Sequence, residues 1–202
     1  MRGETDTLAV AKTDLSRFER GFKTWCENTS IGVRKRLNLS PSDPLSPIVL
    51  ADHMGVTILD LDQVKGLNPE SAAYLASAKG DEWSAVTVYS AGKQVIVVNP
   101  RHSSARRASN IMHELAHIIR VHKPGQVQIY QNYALRDFDQ LQENEANWLA
   151  ACLLLPRPAL LYCGYQKLNI DGAVARYGVS KSLYKYRVVV SGVSKQLHQT
   201  HT

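Results

Sequence analysis

The chain has 202 residues, 44% of them hydrophobic and 21% charged, which is the size and composition of one folded domain. No stretch approaches the run of about 18 apolar residues that a membrane-spanning helix needs, and the N-terminus lacks the features of a secretory signal. We therefore expect a soluble, cytoplasmic protein without membrane contact. The net charge of +6 would suit an acidic partner such as nucleic acid, but many basic proteins bind none.

The cysteines give a second indication of the compartment. Cys26, Cys152 and Cys163 are odd in number, far apart and without a Cys-x-x-Cys pair. This pattern argues against both a disulfide framework and a thiolate zinc site. We expect three reduced thiols.

The N-terminal part is predicted to be helical. Apolar residues recur at helical spacing over residues 13–28, and a second short helix is expected over residues 31–37. The sequence SPSDPLSP that follows predicts a loop. A short helix over residues 47–54 and a strand over residues 56–61 come next.

The middle of the chain predicts a small antiparallel sheet followed by a long helix. Residues 83–90 and 94–99 are rich in valine and isoleucine and are separated by a short connection, which is typical of a β-hairpin. A helix is expected over residues 101–121, because its apolar residues form one stripe. Residues 126–139 show no clear period and predict a long connection.

The C-terminal part is predicted to be helical again. One apolar helix is expected over residues 140–155, stopped by Pro156 and Pro158. Two short helices, over residues 170–177 and 181–190, are expected on either side of a tight turn and resemble a helix-turn-helix unit.

The sequence HELAH, from His113 to His117, has the His-Glu-x-x-His pattern of zinc metalloproteases. Residues four apart on a helix differ by about 40° around the axis and about 6 Å along it, so His113 and His117 can reach one metal ion. Both histidines project away from the apolar stripe, which disfavours a purely structural role in the core. Two ordinary exposed histidines are the remaining alternative.

A catalytic zinc site needs a third protein ligand, and the segment QENEANWLAACLLLP offers two glutamates. On a helix Glu145 lies on the apolar side and Glu143 on the opposite side. A buried carboxylate needs a compensating partner, so we predict Glu145 as the third ligand. The alternative for Glu145 is a salt bridge to Arg106, Arg107 or Arg120.

Glu114 lies between the two histidines but is not spaced to be a ligand. Metalloprotease chemistry needs a base that takes a proton from water, and we assign this role to Glu114. A group that stabilises the oxyanion is also expected. Tyr130, Tyr133 and His122 are near enough in sequence, and nothing ranks them.

HELAH, followed about thirty residues later by ENEANWLAACLLLP, resembles the ImmA/IrrE family of zinc metallo-endopeptidases. The resemblance includes VIVVNP before the motif helix and YGVSKSLYKYRV near the end, so it spans about residues 51–190. It implies a zincin-like α+β fold, zinc dependence, cytosolic activity, ligands His113, His117 and Glu145, and Glu114 as the base. Glu143 also fits the family's segment.

Family resemblance further implies a regulatory protease that cleaves helix-turn-helix repressors, in mobile elements or in DNA-damage responses. We expect an N-terminal helical segment (1–45), a zincin-like metallopeptidase domain (46–165) and a C-terminal helix-turn-helix-like unit (166–202). Two alternatives remain: a binding module that holds a partner without cutting it, and a DNA-binding regulator that uses Lys181, Lys185 and Arg187.

Overall fold

Helices dominate the computed structural model, which describes residues 18–66, 69–77, 83–90, 92–123, 127–130, 133–136 and 139–199. The helices in chain order are α1 (Phe22–Arg36), α2 (Pro47–His53), α3 (Pro69–Ala76), α4 (Ser104–Arg120), α5 (Gln140–Leu154), α6 (Arg157–Tyr165), α7 (Ile170–Tyr177), α8 (Lys181–Val190) and α9 (Val193–Gln199). The strands are β1 (Thr57–Asp60), β2 (Ala85–Ser90), β3 (Lys93–Val98), β4 (Val127–Tyr130) and β5 (Tyr133–Arg136). The architecture is α+β, as predicted.

The main sheet has the order β1-β3-β2 and is mixed. Strands β2 and β3 form the predicted antiparallel hairpin, with Ser90 paired to Lys93 across the turn. The prediction of a purely antiparallel sheet is wrong, because β1 pairs with β3 in parallel, Thr57 opposite Val95. Parallel neighbours need a long crossover connection, and here residues 61–92 supply it.

A second, two-stranded antiparallel sheet lies in the region predicted as a long connection. It consists of β4 and β5, in which Tyr130 pairs with Tyr133. Only the backbone of these strands belongs to the described part of the chain.

Helix α4 packs against strands β2 and β3 of the main sheet and against helix α5. The Ser103 hydroxyl accepts the Arg106 backbone N–H and so caps the first turn, three residues after the predicted start. Ile111, Met112 and Leu115 are buried in the core, as the apolar stripe predicts. This packing fixes the face on which the motif residues lie.

Helix α1 is one continuous helix across the break predicted after residue 28; residues 13–17 of the first predicted helix lie outside the described part. It packs along α5. Ser30 is fully buried there, and its hydroxyl donates to the Cys152 carbonyl at 2.8 Å. This tertiary contact supports a polar residue inside the helix, where sequence alone favoured an interruption.

The C-terminal helices α6 to α9 follow α5 closely. Pro156 and Pro158 end α5 as predicted, but Pro158 then lies in the first turn of α6, where proline needs no hydrogen-bond donor. Helices α7 and α8 have the predicted bounds, and Ser180 caps α8 by accepting the Leu183 N–H. Helix α9, which the sequence did not predict, packs on α6 so closely that Leu197 fills the space beside Gly164.

One continuous buried cluster runs from Phe22 to Val193 and includes residues from all three predicted segments. The proposed boundaries at residues 45 and 165 stay a prediction. All three cysteines are buried and form no disulfide bond, as expected. The stretch Gln140–Tyr165 is long and apolar enough to cross a membrane, contrary to our expectation, but 72% of its apolar window is buried inside the fold, as in a core helix.

Two buried arginines tie the C-terminal end of α5 to its neighbours. Arg34 donates to the Leu153 carbonyl at 2.8 Å, to the Asp43 carbonyl at 2.9 Å and to the Ser30 hydroxyl at 2.6 Å. Arg187 donates to the Leu155 carbonyl at 2.9 Å and forms an ion pair with Glu27. We call Arg34, Arg187 and Glu27 the arginine cluster.

Candidate metal centre

His113 and His117 lie one turn apart on α4, outside the buried stripe. Their Nε2 atoms are 3.0 Å apart, and each side chain is about one-fifth exposed, 20% and 21% respectively. Neutral imidazole nitrogen is a preferred ligand of zinc. Two such nitrogens aimed at a common point therefore offer two ligands to one ion.

The third donor comes from Glu143, in the first turn of α5. Its Oε2 atom is 3.2 Å from His113 Nε2, and its Oε1 atom is 3.5 Å from His117 Nε2. Asp139 caps this turn by accepting the Leu141 and Gln142 N–H groups at 2.9 and 3.2 Å. The cap fixes where α5 begins, and the positive helix N-terminus favours a carboxylate at this position.

The spacing of the three donors fits a metal ion. Ligand atoms about 2.0–2.1 Å from a tetrahedral zinc ion would be about 3.3 Å apart, close to the distance between the two Nε2 atoms and to the distance from each Nε2 to one Glu143 oxygen. The ligand atoms of His113, His117 and Glu143 all lie within 4.8 Å of one another. A mixed nitrogen and carboxylate donor set suits zinc, and three protein ligands leave a position open for water or substrate.

Glu145, the ligand predicted from the sequence, does not join this cluster. It is 5% exposed, so the inference of a buried carboxylate holds. Its partner is Arg120, whose Nε and Nη2 atoms donate to Glu145 Oε2 at 2.8 and 2.5 Å. The correction is therefore that Glu143 faces the histidines, while Glu145 forms the salt bridge named as the alternative. Packing of α4 on α5 covers the side that appeared solvent-facing when α5 was considered alone.

Glu114 lies between the two histidines on α4, and a neighbouring strand holds its carboxylate. The Thr87 hydroxyl of β2 donates to Glu114 Oε2 at 2.5 Å. This bond fixes one carboxylate oxygen and leaves the other for a second partner. Thr87 was not identified from the sequence, since a threonine in a valine-rich strand gives no signal of its own.

Charge at the cluster favours an ionised carboxylate. Burial by itself would raise the pKa of Glu143, but the hydrogen bonds and electrostatic attraction of His113 and His117 outweigh it and hold this pKa well below its usual range. Burial lowers the pKa of His122 and so favours a neutral ring. The hydrogen bond to Glu145 acts in the opposite direction but is the smaller effect. Glu143 thus offers a full negative charge to a cation.

His122, one of the three oxyanion candidates, has both ring nitrogens engaged. Nδ1 lies 3.0 Å from His117 Nδ1, and Nε2 lies 3.1 Å from Glu145 Oε2. His122 therefore contacts the ring nitrogen of His117 that faces away from the metal cluster. The side chains of Tyr130 and Tyr133 lie outside the described part of the chain.

Comparison with known proteins supports the family resemblance. The family model of the IrrE N-terminal-like domain, peptidase M78, matches residues 52–189, close to the stretch that carries the resemblance in the sequence. No curated protein matches the chain significantly. Among solved structures, a Mycobacterium tuberculosis transcriptional regulator has a TM-score of 0.46 and 15% identity, over 85% of this chain and 47% of that chain.

The chain thus spans less than half the length of that regulator. The peptidase M78 model, in contrast, covers more than half of the present chain. Membership of this family implies a metal, and the cluster of His113, His117 and Glu143 is a possible site for it. The protein belongs to the ImmA/IrrE family, defined by the IrrE N-terminal-like domain and its metallopeptidase-like fold.

Proposed function

We propose that the protein is a zinc-dependent endopeptidase with His113, His117 and Glu143 as metal ligands and Glu114 as the catalytic base. The observation that carries the proposal is the convergence of three donor atoms at metal-ligand spacing, with a carboxylate between the two histidines on the same helix. The family assignment to peptidase M78 agrees with this chemistry.

Each role follows from the position of the side chain. A bound zinc ion would supply a Lewis acid that polarises the scissile carbonyl and acidifies water. Glu114 then takes a proton from the attacking water and delivers it to the leaving amine. Thr87 holds one oxygen of Glu114 during both steps, so the carboxylate keeps one orientation.

The substrate we propose is a protein, specifically a helix-turn-helix repressor encoded nearby. This part of the proposal rests on the family, whose members are linked to such repressors in mobile elements and DNA-damage responses. We place the protein in the cytoplasm, since three cysteine thiols without a disulfide bond suit a reducing compartment.

The DNA-binding alternative has weak support. Of the three basic residues considered for the second tail helix, Arg187 is only 1% exposed and pairs with Glu27, so it cannot reach a phosphate. Lys181 pairs with Asp171 at 2.5 Å on the surface. The packing of α8 on α5 describes this helix better than a recognition helix does.

The test is co-expression with helix-turn-helix regulators encoded nearby, with fragments mapped by mass spectrometry. We compare wild type with Glu114→Gln and use Glu19→Gln, the same change at an exposed position, as the matched control. Wild type and Glu19→Gln should produce one discrete cut, and Glu114→Gln should bind zinc without cutting.

Equal cleavage by Glu114→Gln would remove Glu114 from the mechanism. Zinc binding with stable capture of the regulator, but no cut by wild type, would instead support the binding module that holds a partner without cleaving it.

A further inference from the structure

A chain of hydrogen bonds leads from the metal donors into the protein interior. His117 Nδ1 lies 3.0 Å from His122 Nδ1, and His122 Nε2 lies 3.1 Å from Glu145 Oε2. Arg120 donates to the same Glu145 oxygen at 2.8 Å. We call His122, Glu145 and Arg120 the support chain. Its His122 and Glu145 side chains are only 7% and 6% exposed.

Hydrogen-bond chemistry fixes the direction of every proton in this chain. An ionised carboxylate can only accept, so the nitrogen that His122 turns to Glu145 carries the proton. A His117 that binds a metal ion through Nε2 carries its proton on Nδ1, which lies 3.0 Å from His122 Nδ1 and donates to it. His117 Nε2, the atom that faces His113 and Glu143, is left with its lone pair.

We propose that His122 is a positioning residue of the metal centre: with Glu145 and Arg120 behind it, His122 selects the metal-binding tautomer of His117 and fixes its ring plane. Metal-ligating histidines usually donate their second N–H to a partner that sets the tautomer and raises ligand basicity. Here that partner is a second histidine, His122, and the carboxylate of Glu145 contacts His122 and not the ligand itself.

The backbone at the end of α4 gives independent support. Val121 leaves the helix in the left-handed region, with φ of 55°, which is unfavourable for a β-branched residue. This conformation lets the His122 N–H bond to the His117 carbonyl at 3.0 Å and places the two rings 4.9 Å apart. Strained backbone that persists beside a site indicates a position determined by its surroundings.

The far end of the support chain is held by helix α1. The Arg120 guanidinium lies over the rings of Phe22 and Trp25, at 5.2 and 5.0 Å from their centroids. Cation–π contacts of this kind hold a planar guanidinium in place. The orientation of a metal ligand on α4 thus depends on aromatic residues of the N-terminal helix.

The inference rests on the proposed metal centre, and one pair of substitutions tests it. Asparagine can place an oxygen near the position of His122 Nδ1, whereas glutamine reaches the position of Nε2 and faces Glu145 instead. We measure zinc affinity of the full chain by competition with a chromophoric chelator. Affinity should fall about 10- to 100-fold in His122→Gln and stay close to wild type in His122→Asn.

Thermal unfolding of the zinc-free proteins separates positioning from structural support. If the only role of His122 were its hydrogen bond to Glu145, glutamine would be the better replacement and zinc affinity would follow unfolding temperature. Equal zinc affinity of His122→Gln and wild type, or the reverse order of the two variants, would overturn the inference while leaving the metal centre intact.

Glu145→Gln provides a variant that keeps an acceptor for His122. It should retain zinc with a loss no greater than that of His122→Gln. Loss of zinc as complete as in Glu143→Gln would make Glu145 a ligand and overturn the inference. Absence of zinc binding by the wild-type chain would overturn both this inference and the proposed function.

Discussion

The two ends of helix α5 lie in polar clusters of opposite character. At its start, His113, His117 and Glu143 bring two imidazole nitrogens and a carboxylate to within 4.8 Å of one another. At its end lies the arginine cluster, in which the guanidinium groups of Arg34 and Arg187 donate to carbonyl, hydroxyl and carboxylate acceptors. In the tautomers that bind a metal ion, the first cluster offers acceptors only, whereas donors and acceptors match in the second.

This difference separates a site from a support. Buried polar groups persist when donors and acceptors match, and such a balanced set needs no further partner. A convergent set of acceptors is stable only when a proton or metal ion enters it. Burial lowers the pKa of Arg34 to about 10, yet its four hydrogen-bond acceptors keep it within the fold. The predictions below test this contrast.

Among substitutions in the zinc-free protein, the largest effect on stability should come from the balanced cluster. Arg187→Met removes the cation that pairs with Glu27 and the donor to the Leu155 carbonyl, and should lower the free energy of unfolding by about 3 kcal/mol. Urea unfolding of the zinc-free protein measures it. Lys185→Met, the same kind of change at an exposed position of α8, should have almost no effect. Similar losses in both variants would contradict the balanced-cluster description.

The acceptor-rich cluster should gain stability from metal. At free zinc about 1,000-fold above the dissociation constant, wild type should gain about 4 kcal/mol relative to protein kept in chelator. Glu143→Gln should lose most of this gain, because one ligand and the negative charge are removed. Thermal unfolding with and without zinc measures both proteins. A zinc effect that survives unchanged in Glu143→Gln would show that the metal binds elsewhere.

Activity should respond moderately to the hydrogen bond from Thr87. Thr87→Val keeps the shape of the side chain but removes the donor to Glu114, and should lower kcat/KM about 10-fold without changing zinc content. Steady-state cleavage of the mapped substrate measures it. Thr57→Val on the exposed start of β1 is the control. Zinc lost together with activity would assign Thr87 to the fold of the site instead.

The smallest effect should come from strain beside the metal centre. Val121 is 85% exposed and has positive φ, so glycine relieves the backbone at little cost in contacts. Val121→Gly should raise the free energy of unfolding by about 0.5–1 kcal/mol, since left-handed backbone costs more than this for a residue with a side chain. Chemical unfolding measures it, and lower stability would mean that Val121 is unstrained.

Periodicity was sufficient to locate α4 and the histidines on it, because α4 carries its apolar stripe on one face and the spacing of four residues does not depend on the rest of the chain. The hairpin and the two tail helices were predicted for the same local reasons. The parallel pairing of β1 was beyond reach, because its partner strand lies more than thirty residues away.

The third donor shows what the sequence could not decide. Helical projection placed Glu145 on the buried face, and it is buried. The cation that pairs with Glu145 is Arg120, which lies on α4 one turn after His117 and not on the same helix as Glu145. A helical projection of α5 shows which of its residues share a face, but not that α4 packs against the face that carries Glu143. From the sequence, Glu143 therefore appeared to face solvent. The support through His122 depends on the left-handed backbone at Val121, for which the sequence carries no signal.

Anchorage of α5 at both ends has a consequence for local opening. The helix has 15 residues, ten of them buried, and its first turn carries Glu143 while the Leu153 carbonyl near its end is held by Arg34. Amide hydrogens in the last turns should exchange with solvent only when the whole domain opens. Those of the first turn should exchange by fraying, at a rate that metal occupancy sets. Hydrogen exchange along α5 would therefore report metal binding. The rate in the first turn should change with metal, while the slow exchange of the last turns serves as the internal reference.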